Sequence, residues 1–385
     1  MMKKLLLLIL VLLLLASCGE SAEQAVTYDC DNNFQQYSDP YICGNDDALF
    51  FGFGDSLLLW YYDKASGLSG PLCAKPECMH NGLDCSAYFN GRELCLYNGR
   101  LYTLNREDGG FEIISFDTDG TNRKTVLKLD DDLFGGMISG GASDMRGMFH
   151  RGYFYACGTA HKVIDGIPED RAQVFAYSLD RGDGRMIYDN PELTAVKIQP
   201  YGDFLYFVAY SDNAVEVCRY AQESGKVETL YSGEVDFSPS RLWMTDDGIL
   251  FGDNGDDGES ATVYKLDFAS GTITTLLDFN ADTDKSYLIY GFTDDYIVGG
   301  SMNGIEYMLC LKDFNGKTVI ETTVTPPNIS DDQPLYTFPC GSDNEYLYLW
   351  SKVWSSANDA QFIIGVSLKD GESKVLWTDD VRGAE

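Results

Sequence analysis

The sequence between residues 204 and 231 decides the fold, because it contains FLYFV (204–208), VEVCRY (215–220), AQESG (221–225) and KVETLY (226–231). Three of these segments have the length of a β-strand and are rich in the aromatic and β-branched residues that favour strands. The fourth is polar and ends in Gly225, and glycine suits the end of a hairpin turn because it adopts a positive φ at no steric cost. The stretch therefore predicts three antiparallel strands joined by short turns.

The combination of strand, polar turn with a late glycine, and second strand occurs seven times along the chain. The turn glycines, which lie 41 to 64 residues apart, are Gly67, Gly120, Gly184, Gly225, Gly271, Gly316 and Gly371. Four-stranded propeller blades repeat every 40–50 residues or so, on the order of these intervals. We therefore predict an all-β fold, a seven-bladed β-propeller over residues 41–385. Six or eight blades are the alternatives, because the longest interval has room for a degenerate unit, whereas an open β-solenoid has shorter repeats.

The second unit also contains a local turn signal. Asn98-Gly99 stands between two apolar segments, Leu96-Tyr97 and Arg100-Leu101. Asn-Gly is favoured in two-residue hairpin turns because both central residues there have a positive φ. We therefore predict a tight hairpin between the first two strands of the second blade.

The composition is that of a globular, strand-rich protein with a strongly acidic surface. The 385 residues are 44% hydrophobic and 13% aromatic and include 39 glycines, a balance that favours short strands and tight turns. Sixty acidic residues against 28 basic ones give a formal net charge of -32. Such a surface repels phosphate backbones and anionic lipid headgroups, so we expect no nucleic-acid partner.

The N-terminal residues predict export. Lys3 and Lys4 precede an apolar run from residue 5 to residue 16, which suits a secretory signal and is shorter than the roughly 20 residues that span a bilayer. The run ends in Leu15-Ala16-Ser17-Cys18, which resembles a bacterial lipobox. The alternative is an ordinary signal peptide that happens to contain a cysteine.

The lipobox predicts how the chain is divided and where it is located. Residues 1–17 would be a lipoprotein signal peptide, and Cys18 would carry a diacylglyceryl thioether at the mature N-terminus. Residues 18–40 are polar and predict a tether between membrane and propeller. Two or more acyl chains anchor a protein stably. We therefore expect an extracytoplasmic lipoprotein that is anchored to the bacterial cell membrane through Cys18.

A cluster of metal-binding residue types follows the first unit. Cys73, Cys78, His80 and Cys85 form the pattern Cys-x4-Cys-x-His-x4-Cys. Three thiolates and a neutral imidazole this close together can complete a tetrahedral zinc site, so zinc is the one candidate cofactor. A disulfide is the rival, because oxidising conditions prevail outside the cell. The third alternative is a loop of reduced, packed cysteines, because spacing alone does not fix connectivity.

A family resemblance becomes specific at this cluster. Leu-Cys-x-Lys-Pro-x-Cys-x-His, carried by Cys73, Lys75, Pro76, Cys78 and His80, follows the lipobox, the tether and a first strand pair. This order resembles a family of uncharacterised bacterial cell-surface lipoproteins with TolB-like propellers. The resemblance covers most of the chain and implies the propeller fold and the surface location. It implies no known activity and no established ligand.

Catalytic signatures are scarce, so we expect a non-catalytic binding or scaffold protein and not an enzyme. The sequence has no Gly-x-Ser-x-Gly elbow, and its three histidines are His80, His150 and His161. His80 belongs to the cysteine cluster, and His150 and His161 flank the expected first strand of the third unit. Peptidases that carry a propeller add a hydrolase domain, for which we see no room beside the propeller.

The expected ligand is a glycan or a peptide, bound through the loop faces or the central channel. Trp243, Trp350 and Trp354 are candidate stacking platforms, and packing between blades is the alternative for each. The alternative function is a carbohydrate-active enzyme, a glycosidase or lyase, that uses paired carboxylates on the propeller loops. Sixty acidic residues make such pairs unavoidable, so their presence alone does not support it.

Overall fold

Twenty-eight β-strands in seven antiparallel four-stranded sheets make up the described part of the chain. The predicted seven-bladed, all-β architecture is therefore confirmed. The computed structural model describes residues 41–52, 57–80, 84–107, 110–129, 146–164, 167–255, 260–327, 329, 335–353 and 360–379.

Each blade is one continuous stretch of chain, and its four strands pair in sequence order. Blade 1 comprises β1 (Ile42–Gly44), β2 (Ala48–Phe51), β3 (Trp60–Asp63) and β4 (Ser69–Pro71). Blade 2 comprises β5 (Gly91–Tyr97), β6 (Arg100–Glu107), β7 (Gly110–Asp117) and β8 (Lys124–Leu129). Blade 3 comprises β9 (Arg146–His150), β10 (Tyr153–Ile164), β11 (Ile167–Ser178) and β12 (Asp183–Asn190).

The remaining blades have the same order. Blade 4 comprises β13 (Ala195–Tyr201), β14 (Phe204–Tyr210), β15 (Ala214–Ala221) and β16 (Val227–Glu234). Blade 5 comprises β17 (Arg241–Thr245), β18 (Gly248–Asn254), β19 (Ala261–Asp267) and β20 (Thr272–Asp278). Blade 6 comprises β21 (Leu288–Phe292), β22 (Ile297–Asn303), β23 (Glu306–Lys312) and β24 (Thr318–Val324). Blade 7 comprises β25 (Leu335–Ser342), β26 (Tyr346–Val353), β27 (Ala360–Ser367) and β28 (Ser373–Thr378).

The blades close into a ring. The first strands of neighbouring blades contact one another in an unbroken cycle, from β1 through β5, β9, β13, β17, β21 and β25 back to β1. Each of the seven junctions between blades also holds its own cluster of buried hydrophobic residues. Because each sheet covers both of its faces with neighbours, the ring buries apolar surface without a separate helical layer.

Side-chain contacts close the seam between blade 7 and blade 1. The Trp377 ring lies 5.3 Å from the Phe51 ring and 5.2 Å from the Trp60 ring, centroid to centroid. Lys64 Nζ lies 2.7 Å from Asp343 Oδ2, and the Tyr348 hydroxyl donates to the same carboxylate. Burial raises the pKa of Asp343, but the Lys64 ammonium and the Tyr348 hydroxyl outweigh it, so the pKa lies below its ordinary value of 3.8.

In six of the seven blades, the predicted turn glycine lies between the third and fourth strands. Six of the seven have a positive φ, between 64° and 85°. In blade 3 the prediction was wrong by two residues, because Gly182 has a φ of 67° whereas Gly184 pairs with Tyr177 inside the sheet. The predicted hairpin at Asn98-Gly99 is confirmed, with φ values of 47° and 70°.

The predictions for the N-terminal region lie outside the described residues. They are the signal peptide over residues 1–17, lipidation of Cys18 and the tether over residues 18–40. Within the described part of the chain, no helix is long and apolar enough to cross a membrane.

Candidate functional site

The cysteine-rich cluster lies in the connection between β4 of blade 1 and β5 of blade 2. Leu72 and Phe89, which stand on either side of it, are buried in the hydrophobic core between these two blades. The Leu72 N–H donates to the Leu59 carbonyl, and the Leu59 N–H donates to the Ala87 carbonyl, both at 2.8 Å. The connection is therefore anchored to blade 1 at both ends, and its middle is left to form a compact knuckle.

The four predicted ligands come together in this knuckle. The ligand atoms of Cys73, Cys78, His80 and Cys85 all lie within 4.8 Å of one another, and His80 Nδ1 is 3.4 Å from Cys85 Sγ. Cys85 is buried and the other three side chains are half-buried. Cys73, Cys78 and Cys85 are free thiols in the structure. Together with His80 their ligand atoms form a convergent set.

Backbone and side-chain hydrogen bonds shape the knuckle. Lys75 Nζ donates to the Asp84 carbonyl at 2.8 Å, which ties the two halves of the loop together. The Cys78 N–H donates to the Lys75 carbonyl at 3.1 Å, closing a turn before the histidine. His80 has a φ of 55°, a left-handed conformation that costs a non-glycine residue about 1–2 kcal/mol. The loop adopts it where it brings the imidazole among the thiols.

Blade 2 supports the knuckle from its outer turn. A Cβ at Gly120, in the turn between β7 and β8, would collide with the Leu72 carbonyl oxygen, so only glycine admits this close approach. The Arg123 guanidinium donates to the Tyr88 carbonyl at 2.6 Å, just beyond the last cysteine. The cluster is thus built between two blades and contacts both.

The thiols differ in acidity. Burial raises the pKa of Cys73, but the nearby Ser86 hydroxyl, the Lys75 backbone and the other two thiols outweigh it and bring the pKa to about 6. Burial raises the pKa of Cys85 to about 11, and the neighbouring thiols add to the rise. One thiol of the cluster is therefore ready to act as a thiolate, the form that binds metal.

This arrangement can hold a metal ion. Zinc sites use thiolate sulfur at about 2.3 Å and imidazole nitrogen at about 2.0–2.1 Å in tetrahedral geometry. In the structure the ligand atoms lie within 4.8 Å of one another. A small contraction of the cluster would place all four at those distances from a central ion. Four protein ligands fill a tetrahedron, so the site has no open position for water or substrate.

The other two histidines are not brought to the cluster. His150 ends β9 and is buried, with its Nε2 atom 2.6 Å from the Gly202 carbonyl of blade 4, so it links two blades. His161 lies within β10, where its backbone pairs with Asp170. The sequence-based expectation that both flank one strand was wrong, because His150 belongs to the first strand of blade 3 and His161 to the second.

The tryptophans predicted as stacking platforms pack inside the ring where they are described. Trp243 is 2% exposed and lies in the core between blades 5 and 6. Trp350 is partly buried at the seam and packs edge-on against Phe338, with the ring centroids 5.0 Å apart. Trp354 lies outside the described residues. The packing alternative is therefore the one realised at Trp243 and Trp350.

A second candidate site is a cavity of about 270 Å³ between the first strands of blades 5, 6 and 7. We call it the axial cavity. Its lining consists of Arg241, Tyr290, Met302, Tyr336, Thr337, Phe338 and Pro339. Tyr336 is 58% exposed although its strand neighbours on both sides are buried. Sequence reasoning missed this site because its residues come from three blades, and only the aromatic alternation of Tyr336 and Phe338 in β25 marks it locally.

Comparisons with known proteins bear on the fold. No family model and no curated protein matches the chain. Among solved structures, an acylaminoacyl peptidase from Pyrococcus horikoshii is 11% identical, with a TM-score of 0.54, over 86% of this chain and 50% of that one. A prolyl endopeptidase is 13% identical, with a TM-score of 0.55, over 91% of this chain and 51% of that one.

A third structure, TolB from Acinetobacter baumannii, is 15% identical over 86% of this chain and 80% of that one, with a TM-score of 0.38. The chain spans about half the length of the two peptidases. At these identities the likeness to the peptidases shows the propeller fold alone.

Proposed function

We propose that this chain is a lipid-anchored, extracytoplasmic β-propeller that works without catalysis, as a binding or scaffold protein, and that zinc at Cys73, Cys78, His80 and Cys85 is a structural element of it. One observation carries the proposal: the cluster supplies four protein ligands from a single thirteen-residue segment. Catalytic zinc sites keep a position open for water or substrate, whereas structural sites are closed. A site with all four positions filled by protein supports a structural role.

The location of the cluster supports the same interpretation. A loop of this length buries few apolar side chains and cannot offset the entropy of ordering by burial alone. Metal binding can supply that free energy, because the ligands are brought together only in the folded chain. The knuckle contacts blade 1 and blade 2, so the ion would fix the relative position of two sheets.

The membrane anchor is proposed from the sequence. Leu15-Ala16-Ser17-Cys18 follows directly on a short apolar run, as in bacterial lipoproteins. The polar residues up to position 40 would hold the propeller clear of the bilayer. The acidic surface supports this arrangement, because a net charge of -32 keeps the ring from lying flat on anionic headgroups.

The carbohydrate-active enzyme is the less well supported alternative. Such enzymes need a carboxyl group with a raised pKa beside a second carboxylate. Among the described residues, Asp294 has a raised pKa, caused by burial and by Asp295. It lies in the turn between β21 and β22, whereas Met302 of the axial cavity lies at the far end of β22.

Metal analysis tests the structural zinc. Protein purified from its native host without reductant or chelator should contain one zinc per chain, and chelation should expose three thiols. His80→Ala should weaken metal binding, whereas Cys218→Ala, at a buried cysteine of blade 4, should leave the metal content unchanged. A mass two hydrogens short of the free-thiol form, with no metal and no response to His80→Ala, would instead establish a disulfide.

Membrane partitioning tests the anchor. Cys18→Ala should release the protein from the membrane fraction or leave the precursor uncleaved, because no thiol remains for the diacylglyceryl group. Cys30→Ala, at a cysteine outside the lipobox, is the matched control and should stay in the membrane fraction. Normal processing and unchanged partitioning of the Cys18 variant would contradict the lipoprotein assignment.

A further inference from the structure

We propose that the axial cavity binds a single neutral sugar ring of a glycan chain, with Tyr336 as the stacking platform. The inference rests on the proposed binding role and specifies its ligand class. The starting observation is an exposed aromatic residue at a strand position whose neighbours are buried. A 58% exposed Tyr336 beside the half-buried Phe338 and the partly exposed Met302 presents apolar surface to solvent at one concave place.

The walls of the cavity are held rigidly by a second layer of aromatic rings. Tyr307, which is fully buried, packs edge-on behind Tyr290 at 6.2 Å between centroids. Trp350 packs edge-on behind Phe338 at 5.0 Å. A ligand that enters this cavity does not have to order its walls first, and that lowers the entropic cost of binding.

Hydrogen bonds between blades fix the remaining wall. Arg241 Nε donates to the Tyr290 carbonyl at 2.7 Å, and its Nη1 donates to the Ser240 carbonyl at 2.8 Å. Asn254 donates to the Ile289 carbonyl at 2.9 Å and accepts from the Ile289 N–H at 2.7 Å. The guanidinium is thereby held at the cavity wall.

Charge selects the ligand class. The net charge of -32 repels anionic polymers, acidic glycans and acidic peptides included. The guanidinium of Arg241 in the wall repels cationic groups within the cavity. What remains is a neutral ligand with an apolar face for the aromatic rings and hydroxyl groups at its rim, and a pyranose ring has both.

The volume sets the size of the ligand. Drug-sized ligands occupy pockets of about 300–1,000 Å³. A cavity of about 270 Å³ therefore accepts one small residue and leaves the rest of a chain to run over the surface. A glycan meets this condition because its repeating unit is a single compact ring.

Titration with defined oligosaccharides tests the inference on the intact propeller. The probes are tetrasaccharides of N-acetylglucosamine, glucose and mannose, with galacturonate tetrasaccharide and a proline-rich peptide as competitors of other classes. Calorimetry should detect binding of at least one neutral tetrasaccharide. Tyr336→Ala should weaken it about tenfold or more, and Tyr336→Phe should retain most of it because the ring face is kept.

Leu68→Ala is the matched control, because Leu68 is a 66% exposed apolar residue in the turn between β3 and β4, remote from the cavity. It should leave binding unchanged, and all three variants should keep the wild-type melting temperature. The inference is overturned if no neutral tetrasaccharide binds at millimolar concentration, if Tyr336→Ala binds as well as wild type, or if the peptide or the galacturonate binds in preference. Metal content and membrane partitioning are measured separately, so this failure is distinguishable from failure of the proposed zinc site or anchor.

Discussion

Blade 1 and blade 4 solve the same packing problem with different means. The strands of blade 1 have 3, 4, 4 and 3 residues, whereas those of blade 4 have 7, 7, 8 and 8. Blade 4 therefore has long hydrogen-bonded ladders and broad faces to bury. The strands of blade 1 are about half as long, yet blade 1 occupies an equal place in the ring and contacts blades 2 and 7.

The difference indicates how a blade with short strands can be stabilised. Blade 1 carries the Cys73–Cys85 knuckle at its exit and the Lys64–Asp343 ion pair at its seam with blade 7. The ion pair joins the two blades through few atoms, and zinc at the knuckle, as proposed above, would do the same between blades 1 and 2. In blade 4, the described residues contain no comparable cluster of metal ligands, and apolar burial on both faces is sufficient. Removal of the metal ligands or of the ion pair should therefore destabilise blade 1, and the described residues of blade 4 offer no equivalent cluster of metal ligands to remove.

The largest expected effect is that of removing metal ligands from blade 1. In Cys78→Ser/Cys85→Ser the free energy of unfolding should fall by at least about 4 kcal/mol, the stabilisation by a ligand present at roughly 1,000 times its Kd. Urea denaturation with and without zinc measures it. Cys218→Ala in blade 4 should cost only about 1 kcal/mol and show no zinc dependence. Equal, zinc-independent losses in the two variants would remove the distinction between the blades.

The next effect concerns the seam that closes the ring. Trp377→Ala should cost about 3 kcal/mol, because it leaves a cavity against Phe51 and Trp60. Phe207→Ala in blade 4, at a fully buried ring, should cost a similar amount. Both variants should unfold in one transition, because the blades share interfaces around the whole ring. Two separated transitions in calorimetry for the Trp377 variant alone would show that the seam is not part of one cooperative unit.

A smaller, pH-dependent effect is expected at the ion pair of the seam. Lys64→Met should cost about 1–2 kcal/mol near neutral pH, because the pair is partly buried. The folded pKa of Asp343 lies below its ordinary value of 3.8, so the pair contributes above that value and is lost as the pH falls through the folded pKa. The difference between variant and wild type should therefore shrink below pH 3.8 in urea titrations.

An exposed ion pair in blade 4 is the comparison for the Lys64–Asp343 pair. Arg219 and Glu228 lie 2.7 Å apart but are 34% and 58% exposed. Glu228→Gln should change the free energy of unfolding by about 0.5 kcal/mol or less, because water and salt screen an exposed pair. A cost as large as that of Lys64→Met would indicate that seam and blade 4 do not differ in their dependence on charge.

Backbone strain at an open turn glycine should have the same effect in blade 1 and in blade 5. Gly67 of blade 1 and Gly271 of blade 5 both have a positive φ, and a Cβ added at either would meet no heavy atom within 4 Å. Replacement of either by Ala should cost about 1 kcal/mol from backbone strain alone, and Asn should cost less because it tolerates this conformation. Chemical denaturation should give equal values at both sites. A larger loss at Gly67 would mean that the sensitivity of blade 1 extends beyond the Cys73–Cys85 knuckle and the Lys64–Asp343 ion pair.

Features encoded within one blade could be predicted from the sequence. The turn glycines, the hairpin at Asn98-Gly99 and the convergence of Cys73, Cys78, His80 and Cys85 all depend on residues close together in the chain. Their conformations follow from local sterics and spacing. The misplaced glycine of blade 3 shows the limit, because Gly182 and Gly184 are locally equivalent and only the pairing of β11 with β12 distinguishes them.

Features made by several blades could not be predicted. Lys64 and Asp343 are 279 residues apart, and Arg241, Tyr290 and Tyr336 come from three blades. Their meeting depends on how many blades the ring has and how each is rotated. The choice between the two alternatives for Trp243 could not be made from the sequence for a related reason. The sequence around Trp243 is compatible with either face of a strand, and only the packing of blade 5 on blade 6 buries it.

The order of synthesis has a consequence at the seam. Because each blade is a continuous stretch of chain, blades that are adjacent in the ring are also synthesised one directly after the other. Six junctions can form as soon as the next blade emerges, but Phe51 and Trp60 of blade 1 must wait for Trp377, more than 300 residues later. During that interval their apolar surface is exposed, a state in which unfinished chains aggregate or are held by chaperones. The first blade made is thus the last to be covered.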